Sequence, residues 1–210
     1  MKYLSGRTVI VADGAFPGHD IPIGFLKNAP RIICCDGAAE TLIDSGFVPD
    51  AVVGDLDSLR KETAQKFADR LFQYTEQETN DLTKAVLWCK SRGIHDIIIL
   101  GATGKREDHT IGNISLLSEY AHYMDVVMVT DTGIFIPYTR NFRVETVAGQ
   151  QVSLFSTNSE TVISSSGLKY RLSEKKMNNW WVGTLNEAVG DYFELTFSGG
   201  PVIVFMKFGD

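Results

Sequence analysis

Cysteine is scarce in this chain of 210 residues. The three that occur, Cys34, Cys35 and Cys89, include one adjacent pair and no Cys-x-x-Cys spacing. Neither a disulfide framework nor a zinc site is supported, and a reducing, cytoplasmic setting is expected. No apolar run approaches the roughly 18 residues that a membrane span needs, and the opening Met1 to Arg7 stretch lacks an apolar signal core. Secretion and membrane insertion are therefore not expected. Basic residues are also in deficit: 20 Lys and Arg stand against 26 Asp and Glu, for a net charge of -6. That is the wrong sign for a surface built to neutralise nucleic-acid phosphates or anionic lipid, so neither is expected as a partner. Proline is rare, with 6 residues, and there is no internal repeat or low-complexity tract.

What is present is an ordinary globular composition, 44% hydrophobic and 22% charged, over a length that suits one large domain or two small ones. The acid excess is local. Residues 36 to 81 hold eleven acids and four bases, a net -7, which leaves +1 for the rest of the chain.

Two textures follow one another. In the first, short β-branched runs (Thr8 to Ala12, Arg31 to Cys35, Ala51 to Val53, Ile97 to Leu100, Val126 to Val129) alternate with helical patterns at Ala38 to Asp44, Lys61 to Arg70, Leu82 to Ser91 and Thr110 to Tyr123. Alternating βα units predict an open, mostly parallel, Rossmann-like α/β sheet with flanking helices and with sites at the carboxyl ends of its strands. After about Asp131 no long 3.6-residue period remains. Runs such as Gly133 to Tyr138, Phe142 to Val147, Gln151 to Phe155, Tyr192 to Phe197 and Val202 to Phe208 predict an all-β second domain. The junction is expected between Asp131 and Arg140, with Pro137 supplying turn chemistry, which gives domains 1–135 and 136–210.

Candidate chemistry sits at the strand ends. Val52-Val53-Gly54-Asp55-Leu56-Asp57-Ser58 is a buried strand running into two aspartates. A hard divalent cation such as Mg²⁺ takes oxygen ligands of this kind together with substrate phosphates; a solvated turn with an Asp cap is the plain alternative. Asp36 ends another strand and Asp81 opens a helix. Either alone is an ordinary cap or first-turn acid, but three such ends in one sheet point to a shared metal and phosphate site. Opposite in charge is Gly101-Ala102-Thr103-Gly104-Lys105-Arg106-Glu107-Asp108-His109. Gly101 and Gly104 admit close backbone approach, the helix start favours an anion, and Arg106 can grip phosphate with two donors. The segment matches neither a Walker A loop nor a dinucleotide fingerprint. His109 beside Asp108 reads as a base or as a hydrogen-bonded structural residue. Lys84, one turn after Asp81, reaches a phosphate or pairs with Asp81.

Taken in order, Cys35-Asp36-Gly37-Ala38, Gly54 to Ser58, Asn80-Asp81-Leu82-Thr83-Lys84-Ala85, and Gly101 to His109 followed by Asn113 and Leu116-Leu117 resemble the thiamine pyrophosphokinase family. The resemblance implies an N-terminal α/β catalytic domain for ATP and Mg²⁺ and a C-terminal β-sandwich that helps bind thiamine. It also implies a homodimer with active sites between subunits. By resemblance, Asp55, Asp57 and Asp81 are metal ligands, and Asp36, Asp81, Arg106 and Asp108 are catalytic residues. Gly101, Gly104, Lys84, Arg106 and His109 fall to ATP. In the β-rich half, Gly167-Leu168-Lys169-Tyr170 is similar to a family segment whose aromatic ring packs on thiamine, and Asn186 lies in a segment that usually reads Ser-Asn, so the resemblance gives Tyr170 and Asn186 to thiamine. Here Leu185 takes the serine position. The implied reaction moves the pyrophosphoryl group of ATP to the hydroxyethyl oxygen of thiamine, releasing AMP. A related pyrophosphokinase acting on another alcohol such as a pterin, and a non-catalytic thiamine or nucleotide sensor, are the alternatives.

Overall fold

The structure, a computed structural model, describes residues 4–209; Met1, Lys2 and Tyr3, the first residues of the polar opening stretch, lie outside the described residues. The chain divides into two compact units. The first comprises the residues up to Ile114 together with Met124–Asp131. Its elements run β1 (Thr8–Val11), α1 (Asp20–Lys27), β2 (Ile32–Cys35), α2 (Ala39–Asp44), β3 (Ala51–Gly54), α3 (Lys61–Lys66), β4 (Leu71–Gln73), α4 (Asp81–Ser91), β5 (Asp96–Leu100), the start of α5 (Glu107–Tyr120) and β6 (Asp125–Val129).

Within this unit the strands are ordered β6-β5-β1-β2-β3-β4, every pair of neighbours parallel. Every residue of β1, β2 and β3 is buried, as a sheet covered on both faces requires, and this explains their continuous rather than alternating apolar runs. From β1 the chain moves outward through β2, β3 and β4, then returns to β1's other side for β5 and β6. The order therefore reverses between β1 and β5, the position where open α/β sheets hold ligands.

The second unit comprises Ser115–Tyr123 and the chain from Thr132 onward. It contains β7 (Gly133–Tyr138), β8 (Phe142–Glu145), β9 (Gln151–Phe155), β10 (Val162–Ser166), β11 (Lys175–Lys176), β12 (Gly183–Glu187), β13 (Tyr192–Ser198) and β14 (Val202–Lys207). All its pairings are antiparallel, in the orders β12-β9-β14-β7 and β11-β10-β13-β8. Val152 and Leu154 on β9, and Phe193 and Leu195 on β13, are buried at two-residue spacing, the half-buried pattern of antiparallel strands. The expected succession of a mostly parallel α/β sheet and an antiparallel all-β half is the observed fold.

Local details differ from expectation. Pro137 lies inside β7, opposite Ile203, because the apolar run Ile134-Phe135-Ile136 carries the strand through it. The helix expected over 61–70 stops at Lys66, and a 3₁₀ turn follows at Ala68–Arg70. Helix α1 was not legible, although Pro22 at its first turn is an ordinary helix start.

Candidate active site

The loops after β1 and β5 are knitted together. The Ala12 amide donates to Leu100 O at 2.9 Å, Gly14 N to Gly101 O at 2.5 Å, and Ala15 N to Thr103 O at 2.7 Å. Gly101 has φ +65°, and a Cβ there would stand 2.8 Å from Ala12 O, so glycine is required for this approach. Beside these loops is a cavity of about 400 Å³.

Asp55 and Asp57 line the cavity, and Asp36 lies buried beside them. Asp36 follows β2 in a 3₁₀ turn, while Asp55 and Asp57 follow β3. Each offers an oxygen within 4.8 Å of the others. Two local features bring them together. Gly54 lets β3 pass Asp36, since a Cβ at 54 would sit 2.5 Å from the Asp36 Cβ. Leu56, between the two aspartates, has φ +67°, a left-handed conformation uncommon for a branched apolar residue and characteristic of functional turns.

Asp36 is 2% exposed. Its Oδ2 accepts a long bond from Ser58 N, 3.4 Å, and its Oδ1 is buried with no donor. Burial is the main reason its carboxyl is pushed up to about 6; the Ser58 amide opposes this, and side-chain hydrogen bonding with Asp55 and then the Asp55 and Asp57 charges add to it. Asp55 moves the other way, held down chiefly by the Asp57 backbone N–H. A buried carboxylate oxygen without a donor calls for a partner, and the all-oxygen set around it suits a hard divalent cation. The residues fit Mg²⁺.

Asp81, the first residue of α4, lines the same cavity. It falls outside the compact Asp36, Asp55 and Asp57 group, and its Oδ1 accepts from Lys84 Nζ at 3.0 Å. Lys84 is 4% exposed. Burial disfavours its charge, but the hydrogen bond and charge of Asp81, aided by Glu76 and Asp55, outweigh that and raise its pKa. Of the two readings of Lys84, the geometry presents the ion pair. Asn80 caps α4, its Oδ1 accepting from Thr83 N at 2.9 Å.

Lys105, Arg106 and His109 line the same cavity. Arg106 grips Asp108 with two donors, Nε to Oδ1 at 3.1 Å and an Nη to Oδ2 at 2.5 Å. Arg106 and the His109 N–H hold the Asp108 carboxyl down at about 2. Asp108 therefore orients Arg106, while Arg106 and His109 face the cavity. Gly101 and Gly104, both at positive φ, shape the loop whose Ala102 and Thr103 line it.

Asp13 was not singled out by sequence reasoning, yet it lines the cavity and accepts from Lys105 Nζ at 2.6 Å. The signal was available: Val11-Ala12-Asp13-Gly14 ends β1 as Cys34-Cys35-Asp36-Gly37 ends β2. Tyr170 and Asn186 belong to the second unit. Tyr170 is 62% exposed, whereas Asn186 is buried.

The thiamin pyrophosphokinase catalytic domain family matches residues 24–129, and the thiamin pyrophosphokinase substrate-binding domain family matches residues 133–205. Thiamine pyrophosphokinase 1 of Oryza sativa subsp. japonica is 26% identical over 176 residues, covering 70% of this chain and 67% of that protein. Thiamine pyrophosphokinase of Bacillus subtilis (strain 168) is 36% identical over 114 residues, 51% of this chain and 52% of that protein. The crystal structure of thiamin pyrophosphokinase from Geobacillus thermodenitrificans superimposes with a TM-score of 0.78 at 25% identity, covering 97% of this chain and 98% of that one.

Proposed function

The chain belongs to the thiamin pyrophosphokinase family and has thiamine pyrophosphokinase activity, and we propose that it exercises this on Mg²⁺-bound ATP in the cavity between the β3 and β5 loops. The observation that carries the reading is the meeting of opposite charges around one cavity. An acidic cluster with an unpartnered buried oxygen on Asp36 contributes Asp55 and Asp57 to the same lining as a loop presenting Lys105, Arg106 and His109.

In this reading Asp36, Asp55 and Asp57 hold Mg²⁺, with Asp81 as the neighbouring acid of the expected ligand set. The ion supplies charge neutralisation and alignment of phosphate oxygens when bound. The hydroxyethyl oxygen of thiamine attacks the β-phosphorus of ATP. A new O–P bond forms, the hydroxyl proton is given up to solvent, the bridge to the α-phosphate breaks, and AMP leaves with the electron pair. Arg106, oriented by Asp108, presents guanidinium donors to phosphate oxygens as charge develops, and Gly101 and Gly104 allow the backbone amides to approach them. Asp81, paired with Lys84, keeps carboxylate charge beside a cationic acceptor. Residues 1–135 carry ATP and metal, and residues 136–210 carry thiamine, with Tyr170 as the ring beneath it. A homodimer with sites between subunits and a cytoplasmic location belong to the same reading. They are supported by the exposed Tyr170, Trp181 and Leu185 and by three buried free thiols.

The test is direct. Purified protein incubated with ATP, Mg²⁺ and thiamine is expected to yield thiamine diphosphate and AMP in equal amounts. Asp57→Ala should cut the rate at least about a hundredfold, as loss of charge-stabilising groups commonly does, with an unchanged melting profile. Unimpaired Asp57→Ala would remove the proposed metal role. AMP formed only when a pterin alcohol replaces thiamine would reassign the acceptor.

A further inference from the structure

The segment carrying Tyr170 pairs with β12 over a short stretch. Leu168 forms a bridge with Ala188, Val189 N donates to Gly167 O at 3.0 Å, and Lys169 N donates to Glu187 O at 2.8 Å. At Tyr170 the backbone pairing is taken over by a side chain. Asn186 Oδ1 accepts from Tyr170 N at 3.0 Å, and Asn186 Nδ2 donates to Tyr170 O at 2.7 Å. The same Oδ1 accepts from Glu187 N at 2.9 Å.

An asparagine amide has two acceptor lone pairs and two N–H donors. Both lone pairs and one donor are therefore spent on the main chain, and the group is only 4% exposed. Little of Asn186 remains to meet a ligand. What it does is satisfy both backbone groups of Tyr170 at the point where the backbone pairing ends, which fixes that peptide while the ring stays exposed. The turn that sends Asn186 inward is local too: β12 shifts register between Gly183 and Asn186, and Leu185 sits there with φ +58°, 85% exposed.

We propose that Asn186 is a positioning residue for the acceptor: it acts through the Tyr170 main chain, presenting the Tyr170 ring in one orientation, and does not contact thiamine itself. The inference rests on the reading of Tyr170 as the ring beneath thiamine. A platform fixed before binding leaves less ordering to be done on binding, so the effect falls on acceptor affinity.

A double-mutant cycle tests it. Asn186→Asp keeps the size and the acceptors but replaces the donor that meets Tyr170 O. We expect the KM for thiamine to rise five- to twentyfold, with kcat and the KM for ATP within twofold of wild type. In a Tyr170→Ala background the same substitution should change the thiamine KM by less than twofold. Asn186→Gln, which moves both hydrogen-bonding groups out by one methylene, runs the same cycle should the aspartate variant not fold. An equal rise in both backgrounds would assign Asn186 a contact of its own and overturn the proposal, while Tyr170 keeps its role if Tyr170→Ala alone raises the KM. A lower melting temperature with unchanged thiamine KM would make Asn186 purely structural and overturn it as well. No effect of Tyr170→Ala would overturn the ring reading and this inference together.

Discussion

Asp36 combines two properties that do not serve stability. It is buried, and one of its oxygens has no donor; burial pushes its carboxyl from 3.8 to about 6. Between those two values the folded chain binds more protons than the unfolded chain, so the contribution of Asp36 to stability is present at low pH and is lost as pH rises through 6. At neutral pH without metal, the ionised group costs on the order of 1 to 3 kcal/mol. Asp36→Asn removes that cost and supplies a donor to the neighbouring carboxylates. We expect the variant, in chelator at pH 7.5, to melt several degrees above wild type, with the gap closing below pH 5. Its Mg²⁺-dependent AMP release should fall at least about a hundredfold. Melting curves across pH, paired with the product assay, check both halves. A gap independent of pH would show that Asp36 is not the group responsible. The acids at positions 36, 55, 57 and 81 were legible because strand ends and helix starts can be read from runs and caps. The left-handed turn at Leu56 that folds Asp55 and Asp57 together was not, since nothing in a leucine announces a positive φ.

The informative elements are the loops after β1 and β5, where the strand order reverses. That reversal was not legible, because alternating βα units predict an open sheet without fixing the order of its strands, and the loop after β1 was not read as part of the site. Its Asp13 holds Lys105, with both side chains about half exposed. Exposed pairs of this kind are worth about 0 to 1 kcal/mol, so a phosphate group can readily displace Asp13 from Lys105. Asp13→Asn frees the ammonium and removes a negative charge from the cavity, and both effects favour ATP. The expected outcome is a two- to fivefold lower KM for ATP, while Lys105→Ala should raise it. Initial rates at fixed thiamine and varied ATP measure both. A higher KM in Asp13→Asn would instead place Asp13 among the metal or substrate ligands. In the second unit, β10, β11 and β12 were not legible, because residues 158 to 190 are set by particular contacts. Side-chain oxygens of Asn158, Ser164 and Asn186 accept bonds from the amides of Glu160, Glu174 and Tyr170, and such partners have no periodicity to detect.

At the scale of the whole molecule, charge sets the order in which ligands can bind. The chain carries -6, and its acids concentrate in residues 36 to 81 at -7, the segment that supplies Asp55, Asp57 and Asp81 to one cavity and Asp36 buried beside Asp55 and Asp57. A cationic acceptor is drawn to such a field, while free ATP, itself polyanionic, is repelled by it. Lys105 and Arg106 are each already engaged by a carboxylate, Asp13 and Asp108, and do not cancel the repulsion. ATP affinity should therefore depend on the cation more steeply than thiamine affinity does. In calorimetric titrations we expect ATP binding to weaken at least about thirtyfold when Mg²⁺ is replaced by chelator, and thiamine binding to change less than threefold. Added salt, which screens exposed charges over roughly 8 Å at physiological strength, should narrow the ATP difference without removing it, because Asp36 is shielded from solvent. Equal ATP affinity with and without Mg²⁺ would mean that the cationic loop alone holds the phosphates, and the acids would then belong to the acceptor rather than to the metal.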